Sequence, residues 1–234
     1  MTSAQTASPW PKQSERQKQR EMKREAVLRT AAQLFNEKGF HAASLDEVAE
    51  RLHVTKPTLY YYAKNKDEIL FECVRTGLDM MQNAIRAVSE SGGTAVEKLQ
   101  AAMFEYAMIV TMDFGMCVVR VGEDSLTPDN RKALRHLKAG IDREFRTLIE
   151  QAIDEGTFAP CNPKIAAFAV AGGLSWIARW YRPDGPLSPE EVAQQTVATL
   201  LAGLYARPEQ SDGGQRDGAT ATRAHQKNRS RRGG

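Results

Sequence analysis

Ser44-Leu45-Asp46-Glu47-Val48-Ala49-Glu50-Arg51-Leu52-His53-Val54-Thr55-Lys56-Pro57-Thr58-Leu59-Tyr60-Tyr61-Tyr62 reads as two short helices joined by a tight turn at His53-Val54. Leu45, Val48, Ala49 and Leu52 recur at helical spacing and form one apolar face, with Ala49 small where a second helix must cross closely. Val54 and Leu59 are expected to anchor that second helix on the core, which is the packing pattern of a helix-turn-helix. Thr55, Lys56, Thr58, Tyr60 and Tyr61 are then left for the outer face, where hydroxyls and a cation suit phosphates and base edges. Successive helical residues turn by about 100°, so Tyr60, Tyr61 and Tyr62 cannot all point outward. At least one belongs to the core, with Tyr60 and Tyr62 the ambiguous pair. Lys64 and Lys66 follow, placed to meet backbone phosphates or to offset the dipole at the helix end.

The rest of the chain repeats helical start signals and carries few strand signals. Ser44/Glu47, Asn65/Glu68, Thr94/Glu97 and Ser188/Glu191 each set an oxygen-bearing cap three residues before a Glu, so that each can satisfy a free amide of the other. Thr127-Pro128 and Asn162-Pro163 add two starts with proline where its missing N–H costs nothing. These signals, with Gly39, Gly92-Gly93, Gly156 and Pro183-Asp184-Gly185-Pro186 as stops, predict an all-α fold of about nine helices. The expected spans are 16–38, 45–52, 56–62, 67–90, 95–111, 114–122, 128–155, 163–181 and 189–205. The organisation expected is a disordered arm over 1–15, a three-helix DNA-binding domain with its helix-turn-helix over 16–66, a helical effector-binding and dimerisation domain over 67–206, and a disordered basic tail over 207–234.

With 234 residues and 41% hydrophobic content the chain has enough apolar surface for a sizeable core. No apolar run approaches the roughly 20 residues of a membrane span, and residues 1–15 lack the apolar core of a secretory signal. A cytoplasmic protein that does not enter the membrane is expected. Cys73, Cys117 and Cys161 are too scattered for a disulfide framework or a zinc site, so they are expected to be buried or half-buried thiols, and no metal is expected. The net charge of +3 conceals segregation. Residues 1–66 hold 12 Lys and Arg against 7 Asp and Glu, a net of +5, whereas residues 67–206 net −6 and residues 207–234 net +4. A basic leading segment points to a polyanionic partner, although a charge run by itself also suits a plain solvated face.

Four runs in order, Phe35-Asn36-Glu37-Lys38-Gly39-Phe40, Ser44 to Ala49, Val54 to Tyr62, and Lys64-Asn65-Lys66-Asp67-Glu68-Ile69-Leu70, resemble the DNA-binding domain of TetR-family regulators over about residues 20–70. The resemblance implies that residues 56–62 form the recognition helix. It makes Ser44, Thr55, Lys56, Thr58, Tyr60, Tyr61 and Tyr62 operator-contact candidates, with Thr30 or Lys66 touching the backbone. It also implies a homodimer on a palindromic double-stranded operator, paired through the last two helices, whose Ala, Gly, Val and Leu allow close approach. The sequence departs from the family at Ala63, where Phe is frequent.

Two stretches of the body suggest a small-molecule effector. Met103, Met108, Met112 and Met116, with Phe104, Tyr106 and Phe114, suit an adaptable apolar pocket, and suit ordinary core equally well. The run from Gly173 to Ser188 resembles the TetR subgroup that represses lipid or steroid catabolism and releases DNA on binding acyl-CoA thioesters. On that resemblance Trp176, Arg179, Trp180 and Arg182 are effector candidates, joined by Met103, Tyr106 and Met112 from the Met-rich stretch and by Arg120 beside Val118 and Val119; Trp176 and Trp180, one turn apart, also fit a subunit interface. The expected function is therefore a ligand-released transcriptional repressor. The alternatives are an effector-independent dimeric DNA-binding regulator and a TetR-type regulator of an efflux or stress gene sensing a hydrophobic drug-like ligand. An enzyme is not expected: no nucleophile with a base, no paired carboxylates, no metal-spaced histidines and no phosphate-cradling glycine loop occur, and no cofactor is implied.

Overall fold

Side-chain caps decide where most of the helices begin. In the computed structural model, which describes residues 13–121 and 125–205, Ser44, Thr94 and Ser188 form complete capping boxes with Glu47, Glu97 and Glu191. Asn65 also caps its helix, but the Glu68 carboxylate accepts from the Lys64 amide (2.9 Å) instead of reciprocating, so this start is a single cap. The elements are α1 (Gln13–Lys38), α2 (Leu45–Arg51), α3 (Lys56–Tyr62), α4 (Lys66–Ser89), α5 (Ala95–Val110), α6 (Asp113–Arg120), α7 (Pro128–Asp154), α8 (Pro163–Trp180) and α9 (Pro189–Ala202). The fold is all-α, with nine helices among the described residues and one isolated bridge between Phe158 and Tyr205.

Differences from the expected spans are small. Residues 13–15, assigned to a disordered arm, continue α1, while 1–12 and 206–234 lie outside the described residues, as does residue 122 at the expected end of α6. α9 stops at Ala202, and Tyr205 instead folds back so that its ring meets Phe158 edge to face.

α4 is the central element. Its buried residues Ile69, Leu70, Cys73, Val74, Gly77, Leu78, Met81 and Ile85 recur at three and four, a stripe that α1, α5, α6 and α7 cover. Gly77 allows α6 to approach, since a Cβ there would lie 2.5 Å from the Phe114 carbonyl oxygen. α5 and α6 meet at 87°, and Gly115 makes that bend possible because its Cβ would fall 1.9 Å from the Ile109 oxygen. No single helix among the described residues is long and apolar enough to cross a membrane. Cys73 and Cys117 are buried, and burial pushes the Cys117 thiol up to about 12; Cys161, expected to be at least half-buried, is exposed ahead of α8.

Candidate functional site

α1, α2 and α3 form a small head in which α3 contributes one fully buried side chain, Leu59. Tyr62 is half-buried, and the rest of its surface is open. Thr55 caps α3, accepting from the Thr58 amide (3.4 Å), and the two threonine hydroxyls lie 2.9 Å apart. Pro57 occupies the first turn, where its fixed φ is already helical. His53 takes the left-handed conformation (φ 53°) in the turn between α2 and α3, a region in which histidine is enriched among non-glycine residues. That turn leaves Val54 exposed in a shallow groove with Lys23, Thr58 and Tyr62, so Val54 does not anchor α3 as expected and Leu59 does so without it.

The expected contact residues are distributed as follows. Thr55, Lys56, Thr58, Tyr60 and Tyr61 are exposed, and Tyr62 is half-buried against the core. The core tyrosine of the triplet is thus Tyr62. Lys56 pairs with Asp46 of α2 (2.8 Å), and this hydrogen bond raises its pKa. Ser44 is exposed, with its hydroxyl oxygen capping α2. Thr30 is half-buried on α1. Lys66 opens α4 rather than closing α3, so it cannot offset a helix C-terminus. Its ammonium instead stands 4.4 Å from the Phe40 ring centre and donates to the His41 carbonyl (3.3 Å).

Ion pairs brace the head from outside. Arg51 donates to Glu37 across the α1–α2 corner (3.0 Å), and Lys38 pairs with Glu47. The hydrogen bonds from Arg51 and Lys38 hold the Glu37 and Glu47 carboxyls below the usual range. Glu72 of α4 receives Arg24 of α1 (2.9 Å) and Arg75 (2.7 Å). Burial pushes its carboxyl up, but the two guanidinium groups outweigh burial and leave it lowered.

The eight effector candidates do not converge on one pocket. Met103 is fully buried in the core, and Met112 is exposed in a groove between α1 and α4. Trp176 and Trp180 point away from the body, 66% and 48% exposed, on the side of α8 that also carries Ile165 and Phe168. Arg182 is exposed, and its carbonyl accepts from Gly185 in the following turn (3.0 Å). Arg179 donates to the Val119 carbonyl (2.8 Å). Arg120 is committed to three carbonyls: Ala178 (2.6 Å) and Tyr181 (3.3 Å) at the end of α8, and Asn36 (3.4 Å) near the end of α1. Burial, and then the nearby Arg179, lowers its pKa. Arg120 therefore braces helix ends, and its guanidinium is not offered to a ligand.

Among the eight, Tyr106 alone lines a half-open cavity of about 320 Å³ between α4, α5, α6, α7 and α8. Leu78, Val118, Val119, Ile141, Phe168 and Ala171 supply apolar walls, and Lys138, Asp142 and Ser175 supply polar groups. The Tyr106 hydroxyl meets Ser175 Oγ at 2.8 Å, and burial raises the Tyr106 pKa. Asp142 Oδ1 is shut off from solvent with no hydrogen-bond partner. Sequence reading missed Phe168, Asp142 and Lys138, because a spaced Lys and Asp on an amphipathic helix look the same as a solvated pair.

A model of the tetR family of bacterial regulatory proteins matches residues 27–73, and a model of the tetracyclin repressor-like C-terminal domain matches residues 92–204. The HTH-type transcriptional repressor KstR2 of Mycobacterium tuberculosis H37Rv is 28% identical over 192 residues, 78% of this chain and 92% of its own. Among solved structures, the TetR-family regulator PfmR of Thermus thermophilus is 31% identical with a TM-score of 0.69, covering 77% of this chain and 99% of its own. AibR, solved with isovaleryl coenzyme A and operator DNA, is 28% identical with a TM-score of 0.67, covering 75% of this chain and 96% of its own. One model covers the head with its outward helix and the start of α4, the other covers the bundle from residue 92 on, and the chain belongs to the TetR family of transcriptional regulators, which are not enzymes.

Proposed function

We propose that the protein is a homodimeric repressor that holds a palindromic operator through α3 and releases it when a small effector, an acyl-CoA thioester, enters the body. The observation that carries this reading is the exposure of Thr55, Lys56, Thr58, Tyr60 and Tyr61 around a helix fixed by the single buried Leu59. Such a helix has little to lose by docking in a major groove, and its hydroxyls and ammonium match phosphates and base edges. The KstR2 relative is named as a repressor, which supports the negative sign of regulation. Residues 16–66 serve as the DNA-binding unit and 67–206 as the effector and dimer unit. A reader of chromosomal DNA of this kind works in the cytoplasm.

Two copies join along the outer side of α8. Ile165, Phe168, Trp176 and Trp180 expose an apolar stripe there, and a contiguous patch of this kind marks an interaction surface. Trp176 and Trp180 belong to this subunit contact rather than to the ligand. The effector binds in the cavity at Tyr106 and Ser175. At about 320 Å³ that cavity is at the small end of ligand sites, about 300–1,000 Å³, so it receives an acyl group and leaves the nucleotide end outside. AibR, solved with isovaleryl coenzyme A, supports the ligand class.

The test is a mobility shift on genomic fragments, followed by titration with a panel of acyl-CoA thioesters and their free acids. The expected result is one discrete dimer complex that a short- or medium-chain thioester dissolves. A complex that persists across the whole panel contradicts the acyl-CoA effector, and the absence of any complex contradicts the repressor reading itself.

A further inference from the structure

α1 is longer than the head requires. From Ser14 to Ala26 none of its side chains is buried, and the first core residue is Val27. At 1.5 Å per residue this leaves roughly 20 Å of helix with no part in the core. Its acidic residues Glu21 and Glu25 fall on one side, where Arg24 and Arg29 accompany them. Arg16, Arg20 and Lys23 line a groove against Tyr61 and Tyr62 of α3, together with glutamines and without a carboxylate. Glu21 and Glu25 lie instead on the groove that faces α4 and α6. The Arg20 guanidinium sits 5.3 Å from the Tyr61 ring centre, a cation–π contact that orients it beside the outer face of α3. Lys23 also borders the groove with Thr58 and Tyr62, so the basic side of α1 and the open side of α3 form one continuous surface.

We infer that the amino-terminal turns of α1, through Arg16, Arg20 and Lys23, form a second DNA-contacting surface that holds duplex phosphates flanking the groove in which α3 docks. The inference rests on the DNA-reading assignment and extends it. The surface is acid-free, has no role in the core, and adjoins a helix already assigned to DNA, and phosphate is the one group all of it suits. Three cations spaced along one helix side can follow a strand backbone without reading sequence, so their contribution is electrostatic and tied to counterion release.

The experiment compares the full-length protein with its Arg16→Gln/Arg20→Gln/Lys23→Gln variant on the recovered operator and on a random-sequence duplex, across a salt series. A Lys18→Gln/Arg29→Gln variant, altered off this groove, serves as the charge control, and Arg20→Lys as the charge-preserving single change. Each lost phosphate contact lowers the slope of log K against log salt by about 0.9, so the triple variant is expected to lose about 1 to 3 from the slope per head, on both duplexes alike. Hydroxyl-radical footprints are expected to lose their outermost protection and keep the central one. Arg20→Lys and the charge control are expected to keep the slope of the unaltered protein. An unchanged slope and footprint in the triple variant, or an equal loss in the charge control, overturns the inference alone. Failure of the unaltered protein to bind either duplex overturns the DNA-reading assignment and this surface with it.

Discussion

α3 and α4 follow one another in the chain and are held in opposite ways. α3 buries Leu59, half-buries Tyr62 and leaves the rest of its surface open, braced by a threonine cap and the Lys56–Asp46 pair. α4 buries eight residues and is covered by helices on several sides. The head around α3 has a small apolar core supplied mainly by α1 and α2, including Ala31, Phe35 and Val48, with exposed ion pairs around it, while the body has a larger core built on α4. A helix whose side chains are not needed for the fold is free to have them chosen by a partner. That difference supports the proposed DNA-reading role of α3 more directly than any single residue does.

The comparison is sharpened most by paired core deletions. Phe145, fully buried in α7 and tilted against Tyr106, is expected to cost the body about 3–5 kcal/mol when changed to Ala, seen as a fall in the global denaturation midpoint. Leu59→Ala is expected to cost about 2–5 kcal/mol but to act locally. Hydrogen exchange should accelerate across α2 and α3 while α5 and α7 keep their protection. Equal deprotection of the body would erase the distinction between the two regions.

Arg120 is one of the ties between head and body, beside Arg24–Glu72 and the Gln33 and Asn36 bonds to Asp113. Arg120→Met removes a half-buried cation from three carbonyls and is expected to cost about 1–3 kcal/mol by chemical denaturation, with exchange rising at both the α1 and the α8 ends. Arg120→Lys should recover only part of this, because an ammonium cannot span carbonyls on two helices as a planar fork does. Loosening of one end alone would show that Arg120 does not join the regions. A smaller change is Ser44→Ala, which removes the cap of α2 and is expected to cost about 1 kcal/mol, read as lower head protection with the body unaffected.

Acid should separate the regions without mutation. Glu37, Glu47 and Glu72, which brace the head or join it to α4, are all held below the ordinary carboxylate range by basic partners. Groups with a depressed folded pKa stabilise above their unfolded pKa, and that stabilisation is lost as pH falls through the lower folded value. The head is therefore expected to lose a small part of its stability on acidification below the usual carboxylate range, detectable as faster exchange in α2 and at the α1–α4 contact while the body keeps its protection. Equally faster exchange in both regions would contradict it.

The helices were legible because their ends are written locally. Ser44/Glu47, Thr94/Glu97 and Ser188/Glu191 lie three residues apart, and the cap and the structure it makes share one turn. The outward face of α3 was legible for the same reason, since Leu59 among polar neighbours leaves little choice of orientation. The lining of the proposed effector cavity was not, because it joins positions such as Tyr106 and Ser175, 69 residues apart. Met103, Trp176 and Arg120 are residue types that suit a pocket, and equally suit core, a subunit face and a carbonyl brace. Only tertiary packing chooses among those. Val54 was misplaced because apolar spacing could not reveal that His53 would turn left-handed and swing it outward.

Footprinting of the operator with the unaltered protein and with a Thr58→Ala/Tyr61→Ala variant, each checked by its melting temperature, addresses the role of α3 most directly. The account predicts two protected half-sites about 34–36 Å apart, or at a multiple of that spacing, and loss of both protections in a variant that melts like the unaltered protein. Full protection by the variant at the same concentration would contradict it.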